Sequence, residues 1–267
     1  MAELVFLKLG GSLITNKRRD AVARPQVIRR LGDEIHRALE KRPDLRLLIG
    51  HGSGSFGHVV AHRYHVQEGC TDWTGYAETS AAATRLNRIV TDALLEAGVP
   101  VISIQPSASA RCRGGELVSL ALHPIRHALE HELVPLTYGD VALDELWGST
   151  IASTEMIFAY LARRLLPQRI ILAGDVEGVY AADPALHPQA RLVPRISALD
   201  ETDLSGALGG SNGTDVTGGM RTKVRLMIDL VRELPELQVR VISGLQHGLV
   251  ERVLAEPQFS VGTLLTA

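Results

Sequence analysis

Aromatic side chains are scarce in this chain. Phe, Trp and Tyr make up 4% of its 267 residues, while hydrophobic residues make up 45%. A core must then be built from Ala, Val, Leu and Ile, which suits parallel strands buried on both faces. No apolar run approaches the roughly 18 residues of a membrane-spanning helix. The apolar segment 3–9 is too short for a secretory leader and runs into Gly10 and Gly11. Charge of one sign is not in excess either. Lys and Arg number 28, Asp and Glu 30, and the formal net charge is −2, which argues against a nucleic-acid partner. There are two cysteines, Cys70 and Cys112, neither with a partner at metal-ligand spacing. Free thiols suit a reducing compartment. The expectation is a cytoplasmic protein with no membrane and no nucleic-acid partner.

Two familiar phosphate signatures are also missing. No Walker-type loop ends in Gly-Lys-Ser/Thr, and no Gly-x-Gly-x-x-Gly opens a helix after a strand. A phosphate site here must use different parts.

Strand-like runs alternate with helical patterns along the chain. Strands are expected at 4–9, 45–50, 99–104, 133–136, 169–173, 239–242 and 262–265, with a hairpin over 141–153 turning near Trp147 and Gly148. Helical spacing covers 27–39, 79–97, 124–132, 157–166, 222–233 and 247–255. Gly98 stands where a C-terminal glycine would stop a helix. This order implies an α/β fold, a mainly parallel sheet between helix layers. At this length the chain forms one large domain, with a lobe boundary near Pro167. The Gly- and Ser-rich segment 204–217 reads as the most mobile loop.

The octet His51, Gly52, Ser53, Gly54, Ser55, Phe56, Gly57, His58 is the most informative stretch. It follows an apolar strand, and its small residues let backbone N–H groups approach an anion. His58 places an imidazole at the exit of what reads as a loop. A second such element is Lys8-Leu9-Gly10-Gly11-Ser12. A lysine near the end of a buried strand is costly unless it meets an anion or water. Taken alone, Lys8 could be a solvated lysine beside a turn; the second glycine-rich segment weighs against that. Both would lie at the carboxyl ends of strands, where open α/β sheets bind ligands. Lys17 follows as a second cation. Asp175 falls just past a strand end, where an Asx turn is the competing role. Gly218 and Gly219 would open a helix toward an anion. Lys223, early in that helix, opposes the helix dipole unless a phosphate is bound. His123, His127 and His131 stand four apart, but nothing completes a zinc set by spacing, and a polar helix face is the simpler reading.

These motifs, in this order, resemble the amino acid kinase superfamily over nearly the whole chain. The resemblance rests on Lys8–Ser12, the octet, Ser103-Ile104-Gln105-Pro106-Ser107, Tyr138-Gly139-Asp140, Gly174-Asp175-Val176-Glu177-Gly178 and residues 215–223. The His-closed octet and the Ser103–Ser107 segment are similar to isopentenyl phosphate kinases; fosfomycin-modifying kinases share the octet ending. The resemblance implies an αβα sandwich and a homodimer. Its N-terminal lobe, about 1–166, would hold a small-molecule phosphate acceptor, and its C-terminal lobe, about 167–267, ATP with Mg²⁺. Lys8, Gly10, Gly11, Ser12, Gly54, Asp175, Gly219 and Lys223 would contact ATP. Ser53, Gly57, His58 and Thr154 would face the acceptor. Lys8, Lys17, His58 and Lys223 would be catalytic. One departure stands out. Ser153-Thr154-Glu155 replaces the usual Ser-Gly-Asp, so Glu155 would have to orient the lysines with one more methylene. For the acceptor's tail, Tyr76, Ala83 and Ile89 are candidates on the helix after the octet.

Overall fold

The computed structural model describes residues 2–16, 18–66, 73–182, 187, 189–199 and 219–267, with residues 219 and 220 as backbone alone. Lys17, Cys70 and the segment 204–217 lie outside the described residues.

The strands are β1 (Glu3–Leu9), β2 (Leu45–His51), β3 (Val101–Ser103), β4 (Arg111–Arg113), β5 (Glu116–Ser119), β6 (Val134–Tyr138), β7 (Asp140–Asp144), β8 (Gly148–Ala152), β9 (Arg169–Gly174), β10 (Arg195–Ser197), β11 (Gln238–Ser243) and β12 (Thr263–Thr266). The helices are α1 (Gly11–Ile14), α2 (Pro25–Lys41), α3 (Gly54–Arg63), α4 (Trp73–Glu96), α5 (His123–Glu130), α6 (Thr154–Leu165), α7 (Gly219–Glu233) and α8 (Leu249–Ala255).

Among the described residues, eight strands form one sheet in the order β10-β12-β11-β9-β1-β2-β6-β3. Every pairing in it is parallel except β11 with β12. Strand alternation sorts the apolar residues into two cores. Val5, Leu7 and Leu9 of β1 pack with Ile28, Leu31 and Ile35 of α2 and Leu86, Val90 and Leu94 of α4. Phe6 points the other way, to Phe158 and Leu161 of α6 and Val224, Met227 and Val231 of α7. This is the expected αβα sandwich. The sheet does not break at Pro167; β1, from the first half of the chain, pairs directly with β9, from the second.

Several boundaries were legible and a few elements were not. Gly98 has φ +86° and ends α4, as its position implies. The 141–153 hairpin is β7 and β8. The structure adds α1, α3, β10 and the β4–β5 hairpin to the expected elements. The hairpin turns through Gly114 and Gly115, both at positive φ, a standard two-residue hairpin signal.

A second sheet, in the order β5-β4-β7-β8, covers the α6 side of the molecule. One carboxylate ties its turns together. Asp144 accepts from the N–H groups of Gly114, Gly115, Leu146 and Trp147 at 2.7–3.0 Å. Burial would raise its pKa, but these backbone bonds hold it below the ordinary carboxylate value. Nearby, burial and the Asp144 charge push the Cys112 thiol up to about 11, so it behaves as a packing residue. Asp144→Ala leaves four N–H groups without their acceptor and is expected to cost roughly 3 kcal/mol. Chemical denaturation checks this, and a wild-type midpoint would refute it; Asp144→Asn should recover part of the loss.

Candidate active site

The site forms where β1 and β2 end together. They are parallel neighbours, with Lys8 opposite Gly50 and Leu9 opposite His51. The segments after both strands therefore emerge side by side, and their backbones interlock. A Cβ at Gly11 would lie 2.7 Å from the Gly54 nitrogen, and one at Gly52 would lie 2.9 Å from the Gly11 nitrogen. Gly54 also has φ +51°, and a Cβ there would lie 2.3 Å from Thr15 Oγ1. That hydroxyl donates to the Gly11 carbonyl at 2.7 Å and accepts from the Ser55 N–H at 3.1 Å. Only residues without a side chain allow this approach.

The octet is thus not a loop throughout. Residue 51 ends β2, residues 52 and 53 connect, and the rest is the start of α3. His58 lies in the second turn of α3, exposed. The density of Gly and Ser hid the helix, because those residues have poor helix propensity. His51, in contrast, is fully buried. Its ring stacks on Tyr138 at 5.4 Å, and its nitrogens face the Gly52 carbonyl and Asn87 Oδ1, each at 3.1 Å. Burial lowers its pKa, so it serves as a neutral brace.

Strand alternation places Lys8 on the same face as Phe6, toward α6. Phe6 meets Phe158 with ring centroids 5.2 Å apart. Glu155 lies one helical turn before Phe158, and so reaches Lys8 two residues further along the strand. Lys8 Nζ is 2.5 Å from Glu155 Oε1, and both side chains are buried. Lys223 Nζ, on α7, is 3.8 Å from the same oxygen. Burial lowers the pKa of Lys8. Burial would raise that of Glu155, but the charges of Lys8 and then Lys223 hold it down. Glu155 also occupies the first turn of α6, where a negative charge favours the helix dipole. Ser153 caps that turn by accepting from the Met156 N–H at 3.1 Å.

On the other side of β1, the turn after β9 closes the cluster. The Gly10 N–H donates to the Ala173 carbonyl at 2.8 Å. Ser12 Oγ donates to Asp175 Oδ1 at 2.8 Å. Two cations, a glycine-lined turn and a hydroxyl–carboxylate pair thus share one edge of the sheet, an arrangement suited to a polyphosphate.

A narrow recess, open to solvent, lies beside this cluster. Ser53, Gly57, His58, Gly139 and Asp140 contribute polar or backbone groups to its lining; Ala61, Ala83 and Ile151 make the rest largely apolar. A Cβ at Gly57 would lie 2.5 Å from Ser53 Oγ, so the glycine makes room for that hydroxyl. Asp140 accepts from the Ser107 N–H at 3.1 Å and from its neighbour's N–H, Val141, at 2.8 Å. Burial raises its pKa. The segment around Ser107 is joined to α4 through Ser80, 3.1 Å away.

Comparison with known proteins places this geometry in a family. The model of the amino acid kinase family matches residues 3–243. The chain belongs to the amino acid kinase family. Within it, the chain is 38% identical to an isopentenyl phosphate kinase of Methanothermobacter thermautotrophicus, covering 94% of this chain and 95% of that one. It is 37% identical to an isopentenyl phosphate kinase of Haloferax volcanii over 85% of this chain and 88% of the relative. A solved isopentenyl phosphate kinase structure superposes with a TM-score of 0.84, at 33% identity, covering 98% of this chain and 100% of that one.

In this amino acid kinase, the structure brings Lys8, Gly10, Gly11, Ser12, Asp175 and Lys223 to one edge. It places Ser53, Gly57 and His58 in the adjacent recess, with Gly54 at the junction. Gly219 opens the helix that carries Lys223. Thr154 is placed differently. Its hydroxyl is buried and donates to the His51 carbonyl at 2.7 Å, and it is not among the residues lining the recess. Its methyl packs where a Cβ on Gly50 would lie. Of the tail candidates, Ala83 lines the recess, Tyr76 does not, and Ile89 is exposed on α4. Asp140 and Thr79 also line the recess; the Tyr138–Asp140 motif is a sequence signal for the first, and Thr79 carries none. Among the described residues no cluster of His, Cys, Asp or Glu could hold a metal ion, and no helix is long and apolar enough to cross a membrane.

Glu155→Gln leaves Lys8 buried beside a neutral amide, and is expected to cost about 3–5 kcal/mol of stability. The sign with pH is fixed by the depressed native pKa of Glu155. Its stabilisation is present above the ordinary value of 4.5 and is lost as pH falls through the lower native value. The gap between wild type and variant should therefore be widest near neutrality and close in acid. Denaturation at several pH values tests this; a gap that does not change with pH would refute it.

Proposed function

We propose that this protein transfers the γ-phosphoryl group of ATP to isopentenyl phosphate, giving isopentenyl diphosphate for isoprenoid synthesis. One observation carries the reading: a His58-lined recess with apolar walls stands beside, and separate from, the cluster of Lys8, Lys223 and the glycine turn. A kinase acting on a phosphate monoester needs two anion sites in line. The relatives named isopentenyl phosphate kinase support the choice of acceptor.

Phosphoryl transfer depends mainly on positioning and charge neutralisation. The acceptor's phosphate oxygen attacks the γ-phosphorus. The bond from that phosphorus to the β-phosphate bridging oxygen breaks, and ADP leaves with the electron pair. The attacking oxygen is already ionised near neutral pH, so no strong base is required. The task is to hold two anions together against their repulsion. Lys8, fixed by Glu155, and Lys223 would face the ATP phosphates, with Gly10, Gly11, Gly54 and Gly219 admitting them closely. Ser12 and Asp175 would bind on the nucleotide side. Ser53 and the backbone at Gly57 would flank the acceptor phosphate, and His58 would clamp it by a directed hydrogen bond. The role of Lys17 rests on the family resemblance: it would neutralise the phosphoryl group in flight. Mg²⁺ would arrive with ATP, held by phosphate oxygens and water, and would supply further charge. By the same resemblance the lobe before about 167 would house the acceptor and the lobe after it the nucleotide, with Lys8, Gly10, Gly11, Ser12 and Gly54 of the first lobe reaching the ATP phosphates at the junction, and the enzyme would be a cytoplasmic homodimer.

An ADP-release assay over a panel of acceptors tests the assignment. Turnover of isopentenyl phosphate is expected. Strong turnover of the phosphonate fosfomycin with none of isopentenyl phosphate would replace it with the phosphonate reading. His58→Ala should lower kcat/KM for the acceptor by about 10- to 100-fold, the worth of a hydrogen bond to a charged group, while ATP affinity stays unchanged. Lys17→Ala should lower kcat by about 100- to 1,000-fold, by analogy with loss of one oxyanion donor. Wild-type turnover in either variant sinks the role given to that residue.

A further inference from the structure

The lining of the recess includes a threonine that the phosphate clamp does not use. Thr79, on α4, lines it and is 3% exposed. Its Oγ1 is buried and has no hydrogen-bond partner. Comparable threonines behave otherwise. Thr91, on the same helix, donates to the Asn87 carbonyl four residues earlier at 2.8 Å. Thr15 donates back to Gly11 in the same way. Thr84 meets the Tyr138 hydroxyl at 3.1 Å. Thr79 has the same option toward the carbonyl of Gly75 and does not take it.

Buried hydroxyls are nearly always satisfied, and one left dry calls for a reason. Two other buried hydroxyls, of Ser55 and Ser149, are also unpartnered, but neither residue lines the recess. Thr79 is distinguished by its position. Ala83, one helical turn further along α4, Ala61 and Ile151 are apolar and offer it nothing. A purely hydrocarbon tail would leave the hydroxyl dry. A tail bearing a hydroxyl would satisfy it.

We propose that Thr79 is a specificity-determining residue of the acceptor recess. Its hydroxyl pairs with a hydroxyl on the acceptor's tail, so the recess takes short, branched hydroxyalkyl phosphate monoesters as well as the hydrocarbon one. This rests on the acceptor-kinase reading above. It explains a group that a hydrocarbon acceptor would leave unsatisfied, and it assigns discrimination to the tail end of the recess rather than to His58.

The test uses the intact enzyme with Mg-ATP in an ADP-release assay. Isopentenyl phosphate is compared with 3-hydroxy-3-methylbutyl phosphate, the same carbon skeleton with water added across the double bond. Thr79→Val keeps the shape and removes the hydroxyl; Thr79→Ser keeps the hydroxyl. The ratio of kcat/KM, hydroxylated over hydrocarbon, should fall about tenfold in Thr79→Val and stay within roughly threefold of wild type in Thr79→Ser. Both acceptors are measured on one sample, so the folded fraction cancels. An unchanged ratio in Thr79→Val overturns the proposal. So does wild-type turnover of isopentenyl phosphate with none of the hydroxylated ester. If wild type turns over neither, the kinase reading itself fails, and melting temperatures decide the role of Thr79. Stabilisation by the hydroxylated ester that is lost in Thr79→Val supports it; no stabilisation of wild type overturns it.

Discussion

The contact between Lys8 and Glu155 is the constraint on which the site depends. Two charges in a dry interior cost several kcal/mol each before their attraction repays any of it. A pair of aliphatic side chains would fill the same space at less cost. The pair makes sense as a way to hold a cation ready at the end of the central strand. Glu155 fixes where Lys8 points, and the Ser153 cap with the first turn of α6 fixes Glu155. Lys223 approaches the same carboxylate from α7. One acid therefore answers two bases, and the surplus positive charge faces the edge where the glycine turn opens. A polyphosphate arriving there finds charge already oriented, which is what transfer by electrostatic stabilisation requires.

The glycines determine how close the two halves of the site come. The turn after β1 and the connection into α3 touch backbone to backbone through Gly11, Gly52 and Gly54. Glycine costs conformational entropy on folding, and several close together cost more. What they allow is that the Lys8 edge and the His58 recess share a wall one backbone thick. Thr15 bridges that wall with a bond to each side. His51, sealed beneath it against Tyr138 and Asn87, keeps β2 from shifting. The same chemistry, imidazole, does opposite work at the two ends of the octet: a buried neutral brace at residue 51 and an exposed group in the recess at residue 58.

Much of this was legible because strands of this kind announce themselves. Residues 4–9, 45–50 and 169–173 are mainly aliphatic runs, each with one basic residue, and a parallel sheet buried on both faces is the arrangement they favour. The lysine inside the first of them was conspicuous for the same reason. Glu155 stood out because it departs from the Ser-Gly-Asp that the family resemblance implies, and its carboxylate reaches Lys8. The start of α3 was illegible: Gly54, Ser55 and Gly57 are poor helix formers, and only tertiary contacts impose the helix. Thr154 shows a role that the motif did not announce: its hydroxyl ties α6 to the end of β2. Ile89 shares a helix with the recess residues, but sequence spacing alone did not establish which face of α4 turned inward.

The helical start of α3 changes what His58 can do. A side chain on a mobile loop could follow its ligand, at an entropic cost on each binding event. On the second turn of a helix pinned by Gly54 and Thr15, the imidazole has a narrow range of positions relative to Lys8. In the proposed reaction the distance between the two phosphates would then be set mainly by backbone packing, not by the ligands. A site built this way would select its acceptor first by where the phosphate falls. The tail would be judged afterwards, by the small residues of α3 and α4 and by Ile151. Ala61 and Ala83 leave space there, and Asp140 and Thr79 interrupt an otherwise apolar lining. In the proposed reaction the start of α3 would place the anion, and the tail would be read by the next turn of α3, by α4 and by β8.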